Sequence, residues 1–304
     1  MNLRQAFLIL SLALAGILPA GAAPATPSAR VLIIVGPSNH PPGSHEVAAS
    51  GRLLEHCLQR MANLPGVRAE VVYEWPDQAL RDAASTVVLL GDTFPAMRLP
   101  DAQRNIAQLA EMMARGCGIV CVHYSTGLQA QDVAEDGEHP LLHWTGGYFA
   151  TRCKHHQSVA KIFAEATISP AAPAHPVSRG WREFTVNDEP YYNNYFGKEG
   201  NRLMPGVTAL ATSLLPPEAP QREIVAWSIE RNDGGRGFAI VMPHFFRNWK
   251  NEDLRRFILN GIAWTAKLEV PAGGVETTLP DLWTFSPESV EPKPRETKAK
   301  SAGK

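Results

Sequence analysis

The sequence has few cysteines, almost no net charge and, apart from its start, no apolar run long enough to cross a membrane. It contains four cysteines in 304 residues, and its net charge is −1. This chain is too long, with too few cysteines, to be a small disulfide-stabilised scaffold. A balanced charge gives no electrostatic reason to bind nucleic acid or an acidic surface. We therefore expect a globular chain with a substantial core and no nucleic-acid partner.

Several catalytic and cofactor motifs are missing as well. The sequence has no phosphate loop of the Gly-Lys-Ser type, and the Gly-Cys-Gly of residues 116–118 precedes a strand, unlike a dinucleotide fingerprint. Residues 121–127 have the placement of a nucleophile elbow, but the Gly-x-Ser-x-Gly spacing is absent. We expect no nucleotide cofactor, and we expect neither Ser125 nor Cys121 to act as a nucleophile.

The cysteines are predicted to be buried free thiols. Cys117 and Cys121 lie four residues apart on one predicted strand, too far apart to bridge without distortion. Cys57 lies in a helical pattern and Cys153 in a loop. Export to an oxidising compartment would permit a disulfide, so pairing stays an alternative.

The two ends of the chain differ from its middle. Residues 1–22 have a positive start, a short apolar stretch and small residues before a cleavage point, which is typical of an export signal. The predicted location is therefore periplasmic or extracellular, and a retained signal would be the only membrane contact. Residues 30–283 are predicted to form a single domain. Residues 284–304, rich in Ser, Glu, Pro and Lys, are predicted to be a disordered charged tail.

Apolar strands alternate with amphipathic helices in the first half of the chain. The predicted strands there are Val31–Val35, Val67–Tyr73, Thr86–Leu90 and Gly118–Val122. Strands that are apolar at nearly every position are typical of a parallel sheet covered on both faces. Further predicted elements are the strands Ser158–Glu165, Phe184–Asp188, Ala209–Ser213, Glu223–Ile229 and Gly237–Met242, and a last helix, Asn251–Ala266. The pattern predicts an α/β fold with a doubly wound, mostly parallel sheet and extra strands from the second half.

Polar residues follow four of these strands. In chain order, the groups are His40, Ser44, His45 and Glu46; residues 122–127; residues 187–192; and residues 243–246. The carboxyl ends of parallel strands form the crevice in which ligands bind in such folds. We therefore expect these side chains to share one pocket.

Imidazole and carboxylate groups together suit zinc or another divalent ion, and they equally suit acid–base catalysis. The candidate catalytic residues are His45, His123, Asp188 and Glu189. The candidate metal ligands are His45, His123, Glu189, His244 and His156, with zinc as the expected ion. The candidate substrate-binding residues are His40, Tyr124, Tyr148 and Tyr192. Structural alternatives remain, since Asp188 could cap a turn and His244 could pack among aromatic side chains.

An ordered set of motifs runs through the chain. It comprises a His-Glu pair after the first strand, Gly-x-Gly-Ile-Val-x-Val-His ending at His123, Gly-Gly-Tyr-Phe, Asp-Glu-Pro-Tyr-Tyr from Asp188, Pro243-His244, and Asn-Gly-Ile-Ala-Trp in the last helix. This order resembles the ThuA-like (trehalose-utilisation) family over residues 30–280. The resemblance implies a flavodoxin-like, class I glutamine amidotransferase-like fold that lacks the amidotransferase cysteine. It also implies a role in sugar catabolism, particularly of disaccharides and glycosides oxidised to 3-keto forms.

Three hypotheses for the function follow. The first is an exported enzyme that processes a sugar derivative such as a 3-keto-glycoside, either with a divalent metal or with His45 or His123 as a general base. The second is a non-catalytic sugar-binding or scaffold module. The third is a hydrolase of other small amides or esters, which would need a reactive Cys or Ser. The expected partner is a small carbohydrate, and the sequence leaves the oligomeric state open.

Overall fold

A computed structural model describes residues 29–294. The predicted export signal (1–22) and the last part of the predicted tail (295–304) lie outside the described residues. The strands are β1 Ala29–Val35, β2 Val67–Val72, β3 Thr86–Leu90, β4 Gly118–Val122, β5 Gly127–Gln129, β6 Phe149–Thr151, β7 Phe163–Pro170, β8 Phe184–Asp188, β9 Val207–Leu215, β10 Gln221–Glu230 and β11 Arg236–Ile240. The α-helices are α1 Val47–Gln59, α2 Gln78–Ala83, α3 Ala102–Ala114, α4 Pro140–Thr145 and α5 Glu252–Thr265.

One nine-stranded sheet organises the described chain. Its strand order is β2-β1-β3-β4-β11-β10-β9-β7-β8. The first five strands pair in parallel, in the flavodoxin-like order. The remaining strands pair antiparallel and extend the sheet. The predicted α/β fold, with a doubly wound sheet and extra strands from the second half, is confirmed.

Helices cover both faces of the parallel half. A Cβ on Gly237 in β11 would lie 2.1 Å from the carbonyl oxygen of Trp144 in α4, so this residue faces α4 closely. The ring of the next residue, Phe238, lies against Gly261 in α5. Because neighbouring strand residues point to opposite faces, α4 and α5 lie on opposite sides of the sheet. Burial on both faces explains why β3 and β4 are buried at every position.

The last helix forms as its sequence indicates. The Asn251 side chain accepts a hydrogen bond from the backbone N–H of Leu254, and Glu252 and Asp253 lie in the first turn. Both features stabilise a helix N-terminus. The helix packs on β3, β4 and β11 and also contacts α1, which fixes the loops at the ends of those strands.

The structure differs from the predictions in several short segments. The seventh strand begins at Phe163, because Ser158 and Val159 pair instead with Ala150 and Tyr192. Helices α2 and α4 were not predicted, because six residues are too few to show a helical periodicity of apolar residues. The four cysteines are buried and free, as predicted. No helix among residues 29–294 is long and apolar enough to span a membrane.

The described part of the predicted disordered tail packs on the domain. Phe285, Ser289 and Val290 are buried, and backbone N–H groups of this segment donate to Glu46. Few apolar residues therefore suffice to hold residues 284–294, because the Glu46 carboxylate supplies further contacts.

Candidate metal centre

Three histidines from separate loops converge at the carboxyl ends of the parallel strands. His45 lies in the loop after β1, His123 directly follows β4, and His244 lies in the loop after β11. The Nε2 atom of His45 is 2.8 Å from Nε2 of His123 and 2.9 Å from Nδ1 of His244. His123 Nε2 and His244 Nδ1 are 3.1 Å apart. Residues distant in sequence thus place three ring nitrogens within one small volume.

Backbone contacts hold these loops in register. The His45 N–H donates to the carbonyl oxygen of His244 at 2.9 Å, and Ser44 and Phe245 form an isolated antiparallel bridge. His45 and His123 have φ values of 47° and 52°. A non-glycine residue in the left-handed region is uncommon, and such strain concentrates at functional sites.

The hydrogen bond made by Nδ1 determines the tautomer of His45 and of His123. His45 Nδ1 lies 2.5 Å from Oδ1 of Asp92, and His123 Nδ1 lies 3.0 Å from the carbonyl oxygen of Val241. Burial raises the pKa of Asp92, but hydrogen bonds from His40 and His45 outweigh it and hold this pKa well below the usual range. Both acceptors therefore require a proton on Nδ1, so a neutral ring carries its lone pair on Nε2.

Two lone pairs consequently face each other across the cluster. Burial lowers the pKa of His45 to about 4, despite the opposing hydrogen bond to Asp92. Burial, with the neighbouring His45 and His244, lowers the pKa of His123 well below 6.5. Both rings are thus neutral near pH 7. A proton on His244 Nδ1 could satisfy the lone pair of His45, and the Tyr191 hydroxyl, 3.0 Å from His123 Nε2, could donate to the other. Two ring nitrogens that face each other 2.8 Å apart still repel each other, and a cation bound between them would remove this repulsion.

Glu189 adds a carboxylate to the three imidazoles. Its Oε2 atom is 3.1 Å from His244 Nδ1 and 3.9 Å from His123 Nε2. The four ligand atoms of His45, His123, His244 and Glu189 all lie within 4.8 Å of one another. Three imidazoles and a carboxylate form a donor set that is typical of a divalent metal site.

The spacing of the nitrogens is close to what a metal requires. Tetrahedral ligands at a zinc–nitrogen distance of 2.0–2.1 Å are separated by about 3.4 Å. The nitrogens of His45, His123 and His244 are 2.8 to 3.1 Å apart. An outward shift of about 0.3–0.6 Å in each pair would match tetrahedral coordination, and side chains on loops can make such shifts.

The cluster is reached from solvent through two clefts. One, of about 480 Å³, is lined by His40, His45, Tyr73 and Arg98 among others. The other, also about 480 Å³, is lined by His40, Glu189 and His244 together with residues 292–294. Both volumes fall within the usual range for small-molecule sites. The side chain of His40 is 27% exposed and that of Glu189 15%, so ligands can contact them.

Several predicted site residues lie together, and others do not. His45, His123, Glu189 and His244 form the cluster. His40 stacks on His45, and Tyr124 contacts the edges of both rings. His156 is outside the cluster, and its Nε2 donates to the carbonyl oxygen of Asn193.

The two other tyrosines also lie elsewhere. Tyr148 is fully buried, and its hydroxyl contacts the Gly137 carbonyl and His155, so it cannot contact a ligand at the cluster. The Tyr192 ring packs against Phe163, and its backbone pairs with Val159. Within residues 29–294, Tyr192 makes no hydrogen bond or ring contact with the imidazole cluster.

Asp188 supports the cluster from within the fold. It is fully buried, and its Oδ1 accepts hydrogen bonds from the backbone N–H groups of His244 and Phe245 at 2.8 and 3.2 Å. Burial raises its pKa, although these backbone hydrogen bonds oppose the change. The carboxylate thus holds the loop that carries His244, and the direct catalytic role of Asp188 stays a prediction.

Two residues of the site, Asp92 and Tyr191, were not among the predicted catalytic, metal-binding or substrate-binding residues. Asp92 follows β3 and holds His40 and His45; its position after a buried strand was the available signal. The hydroxyl of Tyr191 lies 3.0 Å from His123 Nε2, and its ring stacks on that imidazole. Ser125 is buried, and its hydroxyl lies within hydrogen-bond distance of the backbone carbonyls of Leu89 and Val122.

Comparisons with known proteins match the chain to one family and to several solved structures. Residues 46–265 match the model of a family described as ThuA, trehalose utilisation. A search of curated proteins found no match. A crystal structure of a ThuA-like protein from Bacteroides uniformis is similar, with a TM-score of 0.56, 14% identity, and coverage of 82% of this chain and 95% of that chain.

Two further structures are more distant. A glutamine amidotransferase from Methylobacillus flagellatus aligns with a TM-score of 0.36 and 12% identity, over 84% of this chain and 98% of that chain. A GMP synthase component from Thermoplasma acidophilum aligns with a TM-score of 0.40 and 12% identity, over 78% of this chain and 96% of that chain.

Proposed function

Because the chain belongs to the ThuA family, whose function is carbohydrate-related, we propose that it is a metal-dependent enzyme that cleaves a sugar derivative such as a 3-keto-glycoside. The proposal extends the family-level role to a reaction type and a substrate class. It also includes export, which depends on residues 1–22, outside the described part of the chain.

A single observation carries the metal part of the proposal. His45 Nε2 and His123 Nε2 face each other as lone pairs 2.8 Å apart, with their tautomers fixed by Asp92 and by the Val241 carbonyl. The Tyr191 hydroxyl and His244 Nδ1 can each donate to one of these nitrogens, but two buried acceptors this close, in strained backbone, also favour a cation bound between them.

Zinc is the ion that best suits these ligands. His45, His123, His244 and Glu189 would hold it, since imidazole nitrogens and one carboxylate oxygen are common zinc donors. The carboxylate–histidine pair of Asp92 and His45 is the usual outer support of such a ligand. When bound, a divalent ion would polarise a carbonyl oxygen of the substrate and so acidify the neighbouring C–H group.

His40 is placed to carry the proton in this reaction. Its Nδ1 is 2.8 Å from Oδ2 of Asp92, which fixes the ring and leaves Nε2 to exchange a proton. The side chain lines both clefts beside the cluster. An imidazole oriented by a carboxylate is a common general acid–base group.

The proposed steps are those of an elimination next to a ketone. His40 takes the proton from the carbon beside the ketone, and the C–H electron pair forms an enolate. The enolate electrons then form a double bond to the anomeric carbon while the glycosidic C–O bond breaks and its electron pair leaves with oxygen. The leaving oxygen receives the proton back from His40, so no oxidant or reductant is consumed.

The proposal is tested with three variants and a 3-keto-glycoside substrate. His123→Ala should lose bound metal and turnover together, because a ligand is missing. His40→Gln should retain metal but lose about 10²- to 10⁴-fold in turnover. His143→Ala is the matched control, since His143 is exposed and pairs only with Glu138; it should retain both properties. Unchanged turnover in folded His123→Ala, checked by circular dichroism, would refute the proposed function.

A further inference from the structure

The last described residues, 286–294, lie against the loop that carries His45, although this C-terminal segment is beyond the family-matched region. The backbone N–H groups of Glu288 and Ser289 donate to the Glu46 carboxylate, each at 2.9 Å. Ser289 is buried in this contact. The residue that directly follows a candidate metal ligand therefore attaches the C-terminal segment to the domain.

The Glu46 carboxylate is used for these contacts and not for the helix that it precedes. Glu46 is the N-cap of α1, but its side chain makes no capping hydrogen bond there. Its Oε1 atom accepts from the Gly43 N–H at 2.8 Å as well as from Ser289, and its Oε2 atom accepts from Glu288. Hydrogen bonds to an ionised acceptor are among the stronger ones in proteins. One side chain thus joins the chain on either side of His45 to the C-terminal segment.

Further contacts attach the segment to two of the loops that carry candidate ligands. The Lys293 N–H donates to the carbonyl oxygen of Pro42 at 2.9 Å. A Cβ on Gly43 would collide with the carbonyl group of Glu291, so the two backbones touch there. The Glu291 carboxylate also pairs with Arg247 at 2.7 Å. The segment is therefore tied to the loop after β1 and, through Arg247, to the chain that follows β11.

The loop after β1 holds His45 in an unfavourable backbone conformation. The φ of His45 is 47°, and a residue with a side chain keeps such a conformation only where the surrounding structure enforces it. The contacts of the C-terminal segment with Pro42, Gly43 and Glu46 lie on either side of His45 and supply part of that constraint. They therefore favour the loop conformation in which His45 Nε2 lies 2.8 Å from His123 Nε2.

We propose that residues 286–294 are a positioning segment for the metal centre, so that attachment of the segment and metal binding at His45 strengthen each other. The inference rests on the proposed function for the presence of a metal, but not for the reaction. When the segment detaches, Glu46 loses two of its three donors among residues 29–294, and the Pro42 carbonyl loses the Lys293 N–H. The loop then relaxes from the conformation that points His45 at the cluster. Because such coupling is reciprocal, a bound metal holds the segment in place by the same factor.

Hydrogen exchange of the full-length protein, measured by mass spectrometry with and without zinc, tests the coupling directly. Saturating zinc should slow exchange in a peptide that covers residues 287–293 by about 5- to 150-fold. A peptide that covers α2 is the matched control. The Leu80 N–H in that peptide also donates to a carboxylate, that of Asp77 at 2.9 Å, but α2 carries no residue of the cluster, so its exchange should stay unchanged. Unchanged exchange of residues 287–293 at saturating zinc, or equal slowing in both peptides, would overturn the inference.

Two variants at one position supply the reverse measurement. Glu288→Pro removes the N–H that donates to Glu46, whereas Glu288→Ala keeps it. Both variants lose the same exposed carboxylate, so their difference reports on the attachment of the segment. In a zinc titration against a chelator, Glu288→Pro should bind zinc about fivefold or more weakly than Glu288→Ala. Equal zinc affinities of the two variants would contradict the positioning role.

Both measurements use zinc alone, which separates this inference from the proposed reaction. If zinc slows exchange of residues 287–293 but no 3-keto-glycoside is turned over, the proposed reaction fails and the positioning segment stands. If turnover depends on zinc but zinc leaves the exchange of residues 287–293 unchanged, the positioning segment is refuted and the proposed reaction stands.

Discussion

Replacing Asp92 with Asn would change the proton position on His45 without removing any metal ligand. The two carboxylate oxygens of Asp92 accept from His45 Nδ1 at 2.5 Å and, on the other side, from His40 Nδ1 at 2.8 Å and the Asn39 N–H at 2.6 Å. An Asn side chain has one oxygen and one NH₂ group. If the amide oxygen of the introduced Asn keeps the hydrogen bonds from His40 Nδ1 and the Asn39 N–H, its NH₂ group faces His45 Nδ1.

That arrangement places the His45 proton on the wrong nitrogen. Facing an N–H donor, His45 Nδ1 must become an acceptor, so the ring proton moves to Nε2 and points into the cluster. The lone pair that would bind a metal is then lost unless the ring abandons its support. Loss of such an outer carboxylate typically costs 10- to 100-fold in metal affinity, or about 1.4–2.7 kcal/mol.

The assay is a zinc titration of apoprotein against a chelator of known affinity. Asp92→Asn should bind zinc about 10- to 100-fold more weakly than wild type. Asp77→Asn is the matched control: Asp77 caps α2 through Leu80 N, and Asn caps helices equally well. Zinc affinity equal to wild type in folded Asp92→Asn would refute the reasoning about the tautomer.

Two predictions concern stability. Burial lowers the pKa of His139 to about 4, whereas the unfolded value is about 6.5. The unfolded chain then binds more protons between these values, so the free energy of unfolding should fall by about 3 kcal/mol from this group as pH drops from 6.5 to 4. Urea unfolding of His139→Gln should show a shallower decline, and a parallel decline would contradict this assignment. Gly43→Ala should destabilise more than Gly234→Ala, because both glycines have positive φ but only Gly43 would place a Cβ against backbone. Gly234→Ala measures the cost of the left-handed backbone alone, about 1–2 kcal/mol. If urea unfolding shows that both variants lose the same free energy of unfolding, the contact between Gly43 and Glu291 is absent.

Much of the sheet could be predicted because its strands are defined by burial alone. β3 and β4 are buried at every position, so continuous apolar runs locate them. The last helix was predictable from the cap at Asn251 and the acidic first turn. Ser158 and Val159 show the limit, since their pairing partners lie in other loops and only the tertiary fold determines the start of β7.

The site was predictable to the extent that strand ends determine it. His45, His123 and His244 follow β1, β4 and β11, and parallel strands bring these ends together. The position of Tyr148 could not be predicted, because the direction of a loop side chain depends on packing; its hydroxyl contacts Gly137 and His155. Asp92 lacked an assigned role because a single carboxylate after a strand is significant only once its imidazole partners are located.

The central claim is that the facing imidazoles of His45, His123 and His244 bind a divalent metal. The most direct test is a crystal structure of protein purified with zinc present, with anomalous data collected on both sides of the zinc absorption edge. We predict one strong anomalous peak between His45 Nε2, His123 Nε2 and His244 Nδ1. Ordered imidazoles with no peak among them, at saturating zinc, would contradict the account.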